Sequence, residues 1–168
     1  MPSKTNAQRR DYMTDEEIEI VRDSQEIDLR IDVLTKMIDR RFAVLNNEPS
    51  PIKKNSELWG APPKGTRIEL LSDINKLLTK AIDDIDMVAE RKAFDAKMFP
   101  KAVKHLDASC TVYVPKLRME YDKAADEKEK GVILGAIESC GQVKEAVGNL
   151  EQVVPKEEKK GDKKKKDN

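Results

Sequence analysis

Histidine is almost missing from this chain: His105 is the only one among 168 residues. Any Ser-His or Cys-His catalytic pair would therefore have to be built on that single imidazole. Its neighbours do not favour such a pair. Cys110 lies five positions away, off the same helical face, and Ala102 stands three before it, where the Glu-x-x-His pattern of di-iron bundles would need a carboxylate. Cysteine is nearly as scarce, with Cys110 and Cys140 thirty positions apart and no second pair. That excludes zinc-ribbon spacing and a thioredoxin-like Cys-x-x-Cys, and leaves both residues as expected small core side chains. No G-x-x-x-x-G-K-[ST] or G-x-G-x-x-G occurs, so a phosphate-cradling loop is not expected. There is no apolar run of the roughly 18 residues a membrane span needs, and no leader-like apolar stretch near the start. A cytoplasmic protein without membrane contact is the expectation.

Aromatic residues make up only 4% of the chain, against 38% charged and 38% apolar. Strands favour more Val, Thr, Tyr and Phe than this, whereas long amphipathic helices are built from such a mixture. The apolar spacing agrees. Thr14 and Glu17 form a capping-box signature, and Ile20, Ile27, Ile31, Leu34, Ile38 and Leu45 follow at helical intervals. Leu29, Val33, Met37 and Val44 form a second line, so one helix of about 31 residues, from Thr14 to Leu45, with more than one neighbour is expected. Thr66 and Glu69 repeat the capping signature ahead of the cleanest stripe, Leu71, Ile74, Leu78, Ala81, Ile85 and Val88, in a helix reaching at least Glu90 and expected to run on to Met98. Asp83, Asp86 and Glu90 lie opposite that stripe on a solvated face, and Asp83, Asp84 and Asp86 lack EF-hand spacing.

Pro100 predicts a boundary near Met98. Beyond it Val103, Leu106, Cys110, Tyr113, Leu117 and Tyr121 keep helical spacing across Pro115, which fits either one helix kinked there or two helices. The unbroken stripe favours one. Gly131 is read as a left-handed cap, and Ile133, Ile137, Cys140, Val143 and Val147 predict a last helix that also carries Gly135, Gly141 and Gly148. Together these elements predict an all-α protein: an elongated antiparallel bundle of about four helices in residues 14–154, with a long helical hairpin in its N-terminal half.

Residues 46–66 interrupt every pattern with Pro49, Pro51, Gly60, Pro62, Pro63 and Gly65, and yet hold Trp59, the single tryptophan. Two readings are open. Leu58 and Trp59 fold back to plug one end of the bundle, or Leu58, Trp59, Pro62 and Pro63 form an exposed segment that docks into a partner protein.

The net charge is zero but unevenly spread. Residues 1–13 carry Lys4, Arg9 and Arg10 against Asp11, and residues 155–168 carry seven lysines against four carboxylates, leaving an acidic body between basic ends. Both ends are expected to be flexible, because the last segment in particular has nothing to bury. The run Lys163, Lys164, Lys165 and Lys166 is the candidate polyanion contact, and Arg40 with Arg41 is read as a pair of cations suited to a helix C-terminus. The resulting expectation is a non-enzymatic structural or adaptor protein that engages protein partners, among them a second copy of itself, with no cofactor and no metal. The alternative is an accessory protein held on nucleic acid by its basic tails.

Overall fold

The computed structural model describes residues 10–91 and 97–150. These form six helices, and no strand occurs among the described residues: α1 (Asp15–Asp23), α2 (Ile27–Leu45), α3 (Ser56–Trp59), α4 (Arg67–Glu90), α5 (Met98–Asp122) and α6 (Glu127–Gly148). The expected all-helical bundle is what the chain adopts. Its body is made of α2, α4, α5 and α6, each 19 to 25 residues long. At 1.5 Å per residue, α4 alone spans about 36 Å.

Cross-helix pairs give the directions. Arg30 near the start of α2 reaches Asp84 near the end of α4, while Arg41 near the end of α2 reaches Asp73 near the start of α4, so these two are antiparallel. His105 lies by Asp32 and Lys116 by Phe42, so α5 runs parallel to α2. Arg67 opens α4 and Glu129 opens α6, and the two meet, so α6 runs parallel to α4. The helices pack as a ring in the order α2, α4, α6, α5, which makes two antiparallel hairpins laid side by side. Ile31, Leu34, Ile38, Ile74, Leu78, Leu106, Leu117 and Ile133 fill the space between them and are almost completely buried.

Local chemistry explains most boundaries. Thr14 and Thr66 each close a full capping box, accepting from the Glu17 and Glu69 amides while those carboxylates return to the cap backbone. Asp126 caps α6 by accepting from the Glu129 amide. That places Gly131 inside α6 instead of at a helix end, since the cap five residues earlier has already started the helix. Gly135 has a packing reason: a Cβ there would stand 3.1 Å from the Asn75 side-chain nitrogen on α4. Gly141 and Gly148 have open space where a Cβ would be.

Three expectations change. The single helix from Thr14 to Leu45 is broken, because the chain leaves the helix at Ser24 and re-enters it at Ile27. Ser24 bonds locally, its hydroxyl to the Ile20 carbonyl and its amide to the Val21 carbonyl, and α1 folds back along α2. Folding back buries Val21 and Glu17, which a straight extension would leave bare. Second, residues 10–13 are not a loose tail: Met13 is in the core cluster and Arg10 is ion-paired to α4, whereas residues 1–9 lie outside the described residues. Third, α4 ends at Glu90, α5 starts at Met98 with Pro100 in its first turn, and residues 92–96 lie outside the description.

Pro115 sits inside an uninterrupted α5, so the one-helix reading holds. Proline has no N–H to give the carbonyl of residue 111, and its ring crowds that carbonyl. Pro115 itself is exposed. Pro115→Ala is therefore expected to restore one helical bond and raise stability by about 1–2 kcal/mol, the helical gain being partly offset by a freer unfolded chain. A urea titration checks this, with a higher midpoint at unchanged slope as the expected result.

Candidate functional site

The end of the bundle where α2 finishes and α4 begins is covered by α1, the arm before it and the connection holding α3. Beneath this cap lies a group of charged side chains removed from water. Glu17 is 0% exposed, Arg41 1%, Asp73 1% and Arg40 3%. Ions at such depth persist only when each is paired and its remaining donors or acceptors are bonded.

Each one is. Glu17 Oε1 accepts from the Thr14 amide at 2.9 Å and from Arg41 Nη2 at 2.6 Å, and its Oε2 accepts from Arg40 Nη1 at 2.8 Å and from Arg41 Nη1. Arg41 uses all five of its N–H groups: Nε on Asp73, Nη1 on Glu17 and the Met37 carbonyl, Nη2 on Glu17 and the Tyr12 carbonyl. Asp73 is further held by Arg10, which donates to both of its oxygens at 2.6 and 2.7 Å and also to the Lys64 carbonyl. Arg40 turns its other nitrogen to the carbonyls of Gly60 and Ala61 and sets its guanidinium 5.5 Å from the Trp59 ring centre. Three cations thus meet two buried carboxylates, with the more exposed Glu69 as a third 3.5 Å from Arg10, and the remaining guanidinium donors face carbonyl oxygens and an aromatic face.

This arrangement joins four separate pieces of chain: the arm at residues 10–17, the end of α2, the connection at residues 59–64 and the start of α4. Burial alone would push the Glu17 carboxyl up, but the bonds and charge of Arg41, the Thr14 amide and the charge of Arg40 outweigh it and hold the group below the usual glutamate range. With four bonds accepted, Glu17 has no lone pair in reserve for proton transfer. The cluster is built to hold pieces together.

Trp59 is the apolar part of the same cap. It is 7% exposed and belongs to the core cluster with Met13 and Ile52, so the plug reading describes its place. The other three residues of the candidate docking set separate by position. Pro63 is buried, whereas Pro62 is exposed and Leu58 is 64% exposed. The reversal at Gly60, with φ of +65°, admits glycine and little else, and a Cβ there would meet the Glu16 side chain at 2.7 Å. Between the arm and this connection runs a surface groove of about 820 Å³, walled by Met13, Ala61 and Pro62 and edged by Asp11, Asp15 and Glu16. Lys163, Lys164, Lys165 and Lys166 lie outside the described residues.

Two smaller clusters sit elsewhere. Arg67 ties the far hairpin to α4 by bonding Glu120 and its carbonyl on α5 and Glu129 on α6. His105 Nε2 is 3.2 Å from Thr35 Oγ1 and 3.9 Å from Asp32 Oδ1, and Tyr113 donates to the Thr35 carbonyl at 2.9 Å, so the single histidine belongs to an α2–α5 contact. Among the described residues no group of three or more metal-ligating side chains converges. No helix among the described residues is long and apolar enough to cross a membrane.

The sequence pattern did not reveal the buried cluster. Its one available signal was Arg40 and Arg41 set within the apolar lines of α2, positions that a solvated helix end does not require. No protein-family model, curated protein or solved structure matches this chain.

Removing the charge of one member leaves buried charge on the others without its match. Glu17→Gln keeps the shape and removes the charge, and is expected to cost about 3–5 kcal/mol at neutral pH. The folded carboxyl titrates below its unfolded value, so the stability it contributes is present above about pH 4.3 and is lost as pH falls through the folded value. The gap between wild type and Glu17→Gln should therefore be widest at neutral pH and narrow below about pH 4, as read from urea unfolding at a series of pH values.

Proposed function

We propose that this protein is a non-enzymatic interaction module that engages a protein partner through the capped end of its bundle. One observation carries the reading: a buried ion cluster and the only tryptophan together hold a four-residue helix in place, and the side chain next to that tryptophan, Leu58, stands 64% exposed. Ordering a proline- and glycine-rich connection costs conformational entropy, of the order of 1–2 kcal/mol per residue. An apolar residue on a surface already ordered in this way forms contacts without that cost at the moment of binding.

The neighbouring groove defines the class of partner. Asp11, Asp15 and Glu16 outnumber Lys64 along its edge, and Arg10 in its wall is already spent on Asp73. Ala61 and Pro62 beside a mainly acidic rim fit a segment that combines aliphatic or aromatic residues with lysine or arginine. Nucleic acid would be repelled by this rim, so that alternative rests on the tails alone.

Affinity capture from cells, comparing wild type with Leu58→Asp, tests the proposal. Leu58 is exposed, so helical circular dichroism should be unchanged. A stoichiometric protein partner should bind at least about tenfold more weakly, as for a central contact residue worth more than about 1.4 kcal/mol. Capture that is indifferent to Leu58→Asp, with salt-sensitive nucleic acid as the retained species, would contradict it.

A further inference from the structure

On the α5–α6 hairpin, Cys110 on α5 and Cys140 on α6 are both free thiols and both buried. They are the only two cysteines in the chain. Both line a surface cleft of about 350 Å³ between the two helices, together with Thr111, Pro115, Arg118, Gly141 and Lys144. We propose that Cys110 and Cys140 are a reversible thiol–disulfide pair that closes the α5–α6 hairpin covalently, and that its oxidant is a small anionic disulfide entering this cleft.

Three features of the cleft argue for this. A disulfide requires the two Cα atoms to lie about 4.4–6.8 Å apart, which helices packed about 8–10 Å axis to axis reach only where both residues face the seam, so backbone freedom beside either cysteine eases closure. Gly141, beside Cys140, has nothing within 4 Å of the place its Cβ would take, which leaves room for α6 to move. Pro115 deprives the carbonyl of Thr111, the residue next to Cys110, of its helical bond, which loosens the same turn of α5. Arg118 and Lys144 add the charge selection, since they line the cleft against the single carboxylate of Asp107 and favour a carboxylate-bearing disulfide.

The exchange balances without any further reagent. One cysteine thiolate attacks a sulfur of the small disulfide R–S–S–R, forming a mixed disulfide and releasing R–S⁻, which takes up a proton. The second cysteine sulfur attacks the first, gives up its proton and expels the other half as a second R–SH. Two cysteine S–H bonds and one R–S–S–R bond are replaced by one protein S–S bond and two R–S–H bonds. The cysteines lose two electrons and the small disulfide gains them. Contact with Cys140 and burial raise the Cys110 thiol above its ordinary range, so the exchange should be slow at neutral pH and speed up as pH rises.

The full chain, incubated with glutathione disulfide and then alkylated after unfolding, gives the answer by intact mass. The expected product is monomeric, lighter by two hydrogens, carries no alkyl group, reverts with dithiothreitol and unfolds at a higher temperature than the reduced protein. Cys110→Ser and Cys140→Ser should each abolish that product. Cystamine, a cationic disulfide, should form it more slowly. Two alkylated thiols after incubation, a bond joining two chains, or cystamine acting faster than glutathione disulfide would overturn the proposal.

Discussion

The carboxylate of Glu17, held without water between Arg40 and Arg41, is the interaction on which the arrangement of this protein depends. Removing such charges from water costs several kcal/mol for each ion, and their mutual attraction returns about that amount only when the geometry satisfies every donor and acceptor. The net gain over an apolar cluster of equal volume is therefore small. The gain in definition comes from geometry, because in this placement of α1 one carboxylate, Glu17, serves both arginines while the arm brings Arg10 to Asp73. Apolar side chains tolerate sliding and repacking; a five-membered set of ions with assigned bonds does not.

This explains a division of labour between the body and the cap. Along the bundle, Leu, Ile, Met and Ala side chains fill the space between α2, α4, α5 and α6, and their burial supplies most of the driving force. At the capped end the chain is irregular, rich in proline and glycine, and has little aliphatic surface to bury. There the ions, backbone carbonyls and the face of Trp59 take over the task of fixing the connection. Arg67, with Glu120 and Glu129, does the same for the α5–α6 hairpin near that end of the bundle. Leu58 and Pro62 remain outward as a consequence of how tightly their neighbours are anchored.

How much of this was legible in the sequence follows from the range of each signal. Both capping boxes act within three residues, and both are formed as read at Thr14 and Thr66. The helical stripes also act locally, and they located the helices and most of the core, with Pro115 accommodated inside α5. The break at Ser24 was not legible, because no glycine or proline marks it. It exists because α1 finds partners 23 and 24 residues further along, and the periodicity of an apolar line is the same whether the chain continues or folds back. Arg40 and Arg41 look in sequence like cations suited to a helix end for a related reason, since composition records charge and not the partner that neutralises it. Both readings of Trp59 are consistent with its sequence neighbours, and its burial with Met13 and Ile52 beneath the Arg40 guanidinium separates them.

Cap and bundle stand or fall together because the buried ions join them. Trp59 reports on the cap and far-ultraviolet circular dichroism on the bundle helices, so a single urea titration followed by both signals tests it most directly. One coincident transition, with equal midpoint and slope from the two probes, is the predicted result. A tryptophan transition completed at lower urea, with the helical signal still intact, would show that the cap opens by itself and would contradict the claim.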